Sequence, residues 1–278
     1  MILIADSGST KTDWRLIKED KSVISFSTIG FNPYFINTVS ILKELEDSAL
    51  KSFRKEITEL YFYGAGCSSK GNINVLQAAL AAFFSHAKIE VNHDMLAAAR
   101  ATCGTKPGIT AILGTGSNSC LYDGKVITEN VPALGFILGD YGSGADIGKI
   151  FIQAFIEEEL PEDISAAFKK EYELTITDIL DHIYKKEMPN RFLATFSQFV
   201  YQHIKHPFIF ELVKSRFELF FEKNICRYSN YQTYQLNLIG SVAFVYQDII
   251  ETVASENNME MGLVIKQPIA YLVDFHID

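Results

Sequence analysis

The spacing of apolar residues changes along the chain, and each change predicts an element. Residues 2–5, 13–17 and 22–27 are short apolar or alternating runs joined by polar turns, Asp6 to Thr12 and Lys18-Glu19-Asp20-Lys21. Such runs at period two predict a β-meander. After Asn32-Pro33 the apolar residues Ile41, Leu42, Leu45, Ala49, Leu50 and Phe53 fall at helical spacing, which predicts a helix over 41–53. Residues 60–63 return to strand and stop at Gly64-Ala65-Gly66; 74–84 read as helix, 88–91 as strand and 95–102 as helix. Helices alternating with strands make an α/β layer.

From 110 the opening plan recurs. Residues 110–113 form a predicted strand, Gly114-Thr115-Gly116-Ser117-Asn118 a turn, 119–122 a returning strand, Asp123-Gly124 a tight hairpin turn and 125–128 a third strand. Two meanders on one plan indicate an internal duplication. Residues 146–230 are helical in character, broken at Pro161, Pro189 and Pro207, and 236–239 then reads as a strand leading into Gly240-Ser241-Val242-Ala243 and a helix over 244–254. With 278 residues the chain can fill two cores. Lys106-Pro107-Gly108 interrupts the pattern, so the expected division is 1–107 and 108–278, with a helical insertion over about 146–230 in the second lobe.

Composition narrows the functions. Hydrophobic residues make up 48% of the chain and charged ones 21%, which suits a packed globular protein rather than a disordered one. The net charge is −9 and no Lys/Arg run stands out, which argues against a nucleic-acid partner. Cys67, Cys103, Cys120 and Cys226 are widely separated and form no CxxC pair, so they read as free thiols in a reducing compartment. No apolar run approaches the ~20 residues that span a bilayer, and Met1 leads straight into a strand. A cytoplasmic protein without a membrane segment is expected.

The turns carry the candidate chemistry. A Gly/Ser/Thr turn between strands presents backbone N–H groups and hydroxyls at close range, as an anionic phosphate requires. One such turn is also an ordinary hairpin; two in equivalent places of duplicated halves that face one another would meet one ligand. Asp6 either initiates its turn or holds Mg²⁺ beside the phosphates, since a bare carboxylate would repel them. Lys11 either contacts phosphate or is solvated. Asp94, at the end of the predicted strand 88–91, fits two roles: a helix cap, or a base that takes a proton from an attacking hydroxyl. His93 reads as a local hydrogen-bonding residue. Gly135-Phe136-Ile137-Leu138-Gly139-Asp140-Tyr141-Gly142-Ser143-Gly144 is either a loop packed on a ligand or on another backbone, with Asp140 available to sugar hydroxyls, or a helix entry capped by Ser143 or Asp146. The Phe-rich stretch 192–221 could pack internally or supply a homodimer surface.

Asp6-Ser7-Gly8-Ser9-Thr10-Lys11-Thr12 and Gly114-Thr115-Gly116-Ser117-Asn118 resemble the two phosphate loops of the actin-like ATPase superfamily. Together with Asn92-His93-Asp94, Gly139-Asp140-x-Gly-Ser and the strand-Gly-Ser near 240, they resemble the N-acetylglucosamine kinase and BadF/BadG/BcrA/BcrD ATPase group within it. The resemblance implies an α/β fold of two ribonuclease-H-like lobes with a central cleft that closes over Mg-ATP and a small sugar. It implies ATP and Mg²⁺ as cofactors and phosphorylation of the 6-hydroxyl of N-acetylglucosamine or a related amino sugar. By this resemblance Asp94 corresponds to the catalytic base and Asp6 to the magnesium-associated carboxylate. Gly8, Ser9, Thr10, Lys11, Thr12, Gly114, Thr115, Gly116 and Ser117 correspond to the phosphate loops, and Gly240, Ser241 and Ala243 to the adenosine side. Asn32, Gly135 and Asp140 correspond to sugar-binding positions. Leu134-Gly135-Phe136 stands where N-acetylglucosamine kinases carry Gly-Trp-Gly. The group also implies an alternative, an ATP-driven activator of a dehydratase with a cysteine-held iron–sulfur cluster, and a sugar sensor without catalysis is a third reading.

Overall fold

The apolar run that opens the chain becomes β1 (Ile2–Ser7), the middle strand of a five-stranded sheet. The computed structural model describes residues 1–277. They divide into two compact units, one of residues 1–105 with 267–277 and one of residues 106–266.

In the first unit β2 (Lys11–Ile17) and β3 (Val23–Ile29) follow β1 antiparallel, as the meander predicts. β4 (Glu59–Gly64) and β5 (Lys88–His93) add in parallel on the other side, giving the order β3-β2-β1-β4-β5. The helix expected over 41–53 is shorter, α1 (Thr38–Asp47), because Ser48 leaves the helix in extended conformation and Ala49–Phe53 continues as a 3-10 turn. α2 (Lys70–Phe83) begins before the first apolar residue of its stripe, since the Ser69 hydroxyl caps it by accepting from the Asn72 N–H at 3.2 Å. α3 (Asp94–Cys103) ends at Gly104, whose φ is +60°. Leu3, Ala5, Trp14, Leu60 and Phe62 point to one face of the sheet and pack with Ile41, Leu45, Leu76 and Leu80 from α1 and α2. The Trp14 indole satisfies its buried N–H on Thr28 Oγ1 at 2.9 Å.

The second unit repeats the plan. β6 (Gly108–Leu113), β7 (Ser117–Tyr122) and β8 (Ile127–Glu129) form its meander, and β9 (Leu236–Ile239) and β10 (Met261–Ile265) extend it in parallel, in the order β10-β9-β6-β7-β8. Each strand occupies the place of its counterpart five positions earlier, so the duplication covers whole sheets and not only the meanders. β10 is absent from the sequence reading. Its second residue is Gly262, where a Cβ would stand 2.3 Å from Asn237 Oδ1, and its register with β9 shifts between Met261 and Val264.

Six helices separate β8 from β9: α4 (Gly135–Leu138), α5 (Gly144–Ile156), α6 (Glu162–Tyr172), α7 (Ile176–Tyr184), α8 (Pro189–Gln202) and α9 (Pro207–Lys223). Pro189 and Pro207 start helices at N1, where a missing N–H costs nothing. Phe196, Phe199, Phe217 and Phe220 are fully buried with Phe151 and Phe168, so these members of the Phe-rich stretch build the core. The helix expected over 244–254 is two, α10 (Ser241–Val245) and α11 (Gln247–Glu256), divided at Tyr246, whose buried hydroxyl donates to the Ser197 carbonyl at 3.0 Å.

The last helix, α12 (Ile269–Ile277), packs on α3, β1 and β2. Residues 267–277 therefore belong with the first unit, whereas the sequence reading assigns all of 108–278 to the second lobe. His276 explains the attachment: its ring stacks on Tyr61 with centroids 3.9 Å apart and hydrogen-bonds the Tyr63 hydroxyl at 2.8 Å. Among the described residues no helix is long and apolar enough to cross a membrane.

Candidate functional site

β1 leads into a hairpin closed by the Gly8 N–H, which donates to the Lys11 carbonyl at 2.9 Å and leaves Gly8, Ser9 and Thr10 exposed. Internal bonds hold this loop. The hydroxyls of Ser7 and Thr12 lie 2.7 Å apart, Thr12 donates to the Ile29 carbonyl, and the Phe31 N–H donates to Ser7 Oγ. The Thr12 hydroxyl is thereby spent inside the protein, and only the loop from Gly8 to Lys11 faces outward. Lys11 places its ammonium 2.8 Å from Asp13 and is well exposed. Asn32, 6% exposed, donates from Nδ2 to Ser9 Oγ at 2.8 Å and accepts the Tyr34 N–H, so it braces the loop directly.

Asp6 and Asp94 sit at the carboxyl ends of parallel strands, on either side of β4. The register aligns Asp6 with Tyr63 and Tyr63 with Asn92, two residues before Asp94. Burial is the main cause that pushes Asp6 up to about 7, and the charges of Asp94 and Asp13 add to it. Burial likewise raises Asp94, opposed by His93 and by the Met95 backbone N–H. Asp94 is the first residue of α3, and the cap is His93, whose Nδ1 accepts the Leu96 N–H at 3.3 Å while burial lowers its pKa. The Asp94 carboxylate accepts the Met95 N–H in the first turn of the helix while His93 serves as the cap. Asn92 Nδ2, buried and without a hydrogen-bond partner, stands in the same row; the motif Asn92-His93-Asp94 contains it, but the sequence reading assigns it no role.

Two half-buried carboxylates, one of them raised in part by the charge of the other, fit a divalent cation, which would supply the missing positive charge. No group of three or more His, Cys, Asp or Glu side chains placed to hold a metal occurs among the described residues. Asp6 could thus offer one carboxylate ligand, leaving the others to phosphate and water, the usual pattern for Mg²⁺.

In the second unit the equivalent loop, Gly114 to Ser117, is pinned to the start of α5: the Gly144 and Ala145 N–H groups donate to the Gly114 and Thr115 carbonyls at 2.8 and 3.1 Å. Ser143 caps that helix by accepting the Asp146 N–H at 3.1 Å. The stretch is therefore a helix entry capped by Ser143, its backbone packed on that of the Gly114-Thr115 turn. Asp140, at φ +52°, lies over the loop and accepts the Ser117 N–H; burial raises its pKa, and a Cβ on Gly116 would stand 2.7 Å from its Oδ2. Gly135 is exposed at φ +73°, at the start of α4. Gly240, at φ +121°, leaves only 2.2 Å between an added Cβ and the Leu113 carbonyl oxygen, so the turn after β9 lies against the end of β6. Ser241 is exposed there, whereas Ala243 is fully buried in the core.

Arg216 escaped the sequence reading. Its Nε donates to Asp146 Oδ2 at 2.9 Å, Lys149 Nζ lies 3.3 Å from Oδ1, and the same Oδ2 accepts the Gly142 N–H. This ion pair ties the 139–144 loop to α9, and a lone Arg far along the chain gives no local signal of it.

The BadF/BadG/BcrA/BcrD ATPase family model matches residues 5–205. A candidate N-acetylglucosamine kinase from Porphyromonas gingivalis is 45% identical over 99% of this chain and 98% of its own, with a TM-score of 0.92. A second candidate N-acetylglucosamine kinase, from Chromobacterium violaceum, superposes with a TM-score of 0.72 at 14% identity, covering 99% of this chain and 98% of that one. A ROK family glucokinase from Streptomyces griseus, in complex with glucose and AMPPNP, gives 0.57 at 13% identity over 99% and 97% of the two chains. These last two share the fold. No curated protein matches the chain.

Proposed function

We propose that this chain, which belongs to the BadF/BadG/BcrA/BcrD ATPase family, is an ATP-dependent kinase that phosphorylates the 6-hydroxyl of an amino sugar, N-acetylglucosamine or a relative of it. The observation that carries the reading is the pair Asp6 and Asp94: two half-buried carboxylates at the ends of parallel strands, both raised above the ordinary range. A general base works best when its pKa approaches the working pH. Burial moves Asp94 in that direction, and His93 takes over the helix cap that would otherwise occupy it.

In this reading Asp94 accepts the proton of the sugar hydroxyl as its oxygen attacks the γ-phosphorus and the bond to the ADP oxygen breaks. Asp6 holds Mg²⁺, which when bound neutralises charge on the phosphates. The N–H groups and hydroxyls of Gly8 to Lys11 and of Gly114 to Ser117 orient the triphosphate, Gly240 and Ser241 lie on the adenosine side, and Asn32, Gly135 and Asp140 bind sugar. Phosphoryl transfer asks the protein mainly for such positioning and charge. The likeness to a candidate N-acetylglucosamine kinase supports the acceptor class. Against the dehydratase-activator reading stands the placement of the thiols: Cys67 and Cys120 are buried in separate units.

The test is coupled ADP release over a panel of hexoses, N-acetylhexosamines and 1,6-anhydro amino sugars with Mg-ATP, followed by NMR of the product. Turnover on an N-acetylhexosamine with phosphate on O6 is expected. ATP hydrolysis indifferent to every sugar would overturn the assignment.

A further inference from the structure

One buried donor beside the strand ends is left over by the roles above. Asn92 Nδ2 is shut off from solvent and has no hydrogen-bond partner. A buried N–H normally finds an acceptor, because leaving it unmet costs free energy. β5 stays extended through His93, at φ −83° and ψ 158°, so the side chains of Asn92 and Asp94 leave the backbone on the same side. His93 lies between them on the opposite side and caps α3.

The other acceptors around Asn92 are taken. β5 is an edge strand, so only β4 flanks it, and the residue there in register is Tyr63. The Tyr63 hydroxyl accepts from Arg100 at 2.7 Å and pairs with His276 Nε2 at 2.8 Å. Two residues back on the same side, Glu90 pairs with Lys88 at 3.5 Å. Asp94 is left: its carboxylate accepts the Met95 N–H, and among the described residues no side-chain donor reaches it.

We propose that Asn92 is a positioning residue for the base, its amide donating to the Asp94 carboxylate when that group is ionised and steadying it toward the acceptor hydroxyl. The proposal rests on the reading of Asp94 as the base. A neutral carboxyl offers Asn92 little, whereas the ionised form gains a charge-assisted hydrogen bond. Asp6 from β1, His93 from β5 and Cys67 from the turn after β4 are the titratable groups that feel or supply charge at Asp94, and Arg100 and His276 lie beyond them on Tyr63. A substitution at Asn92 alters none of these.

Carbon NMR of the aspartate carboxyls, with Asp94→Asn to assign the signal, reads the titration of Asp94 in the full chain without ligands. The pH profile of kcat/KM for N-acetylglucosamine is measured in parallel. Two variants of different size lack the donor, Asn92→Leu and Asn92→Ala. Both are expected to raise the Asp94 midpoint by about one pH unit, a change of about tenfold in its acidity, and to carry the acid limb of kcat/KM upward by the same interval. Lost packing alone would lower stability and leave both where they are. Unshifted midpoints by NMR, or an unshifted acid limb in an active enzyme, overturn the inference. A shifted NMR midpoint in a protein that phosphorylates no sugar removes the kinase reading and leaves the contact between Asn92 and Asp94 standing. Phosphorylation that Asp94→Asn abolishes, with the midpoints of both Asn92 variants unmoved, does the reverse.

Discussion

Gly30 lies against Gly8 so closely that a Cβ on Gly30 would stand 2.4 Å from the Gly8 carbonyl oxygen and 2.6 Å from the Thr10 nitrogen. Backbone cannot yield as a flexible side chain does, so any larger residue at 30 must displace the Gly8–Lys11 loop, which the proposed function places on the triphosphate. Gly30→Ala is expected to raise the KM for ATP by roughly ten- to a hundredfold, as misplacement near 1 Å does. Steady-state kinetics at saturating sugar measures this, and an unaltered KM would mean that the loop's position is irrelevant to nucleotide use.

Asp94→Asn keeps the shape of the strand end and removes the proposed base. Turnover should fall by about 10²- to 10⁴-fold, the usual worth of a general base, while ATP affinity stays near that of the wild type. Wild-type-like turnover would take Asp94 out of the mechanism.

The raised pKa of Asp6, about 7, makes a prediction about stability. Its folded pKa lies above the unfolded value, so its favourable contribution is complete below pH 3.8 and is lost as pH rises through about 7. Asp6→Asn, which mimics the protonated acid, should therefore be more stable than wild type at pH 8, by something on the order of 2 kcal/mol after allowing for solvent screening. At pH 4 the two should melt together. Denaturant melts at both pH values check the sign; a variant less stable at pH 8 contradicts it.

His276 runs the other way. Burial first, then the Arg100 charge, lowers it to about 4, so it contributes stability above pH 6.5 that is lost as pH falls toward 4. His276→Phe should flatten this part of the pH profile of the melting temperature. An identical profile in the variant would show that the ring is not what clasps α12 to β4.

Asp146, 1% exposed, sits between Arg216 and Lys149. Asp146→Ala leaves the guanidinium, 15% exposed, without its partner and is expected to cost about 3–5 kcal/mol. Chemical denaturation measures it. A cost under about 1 kcal/mol would class the pair with surface ion pairs.

The strands of both meanders, the turns at 8–11 and 114–117 and the strand at 236–239 were legible because each is written in local residues: apolar runs for the strands, Gly, Ser and Thr for the bends. Helix ends were less legible, since Ser48 and Tyr246 break their helices by backbone geometry and burial that an apolar stripe does not record. Strand β10 was hidden by Gly262, which is there to make room for Asn237.

The sequence by itself determined where strands, turns and two carboxylates would lie along the chain, because period and turn chemistry act over a few residues. Only the tertiary structure decided what surrounds them. Asp6 and Asp94 are 88 positions apart in the chain, and they meet because parallel pairing carries β1, β4 and β5 to a common end. Arg216 reaches Asp146 across 70 positions, and α12 returns to the first unit across the whole second one. Such contacts depend on how burying apolar faces folds distant segments together, and no local pattern encodes that.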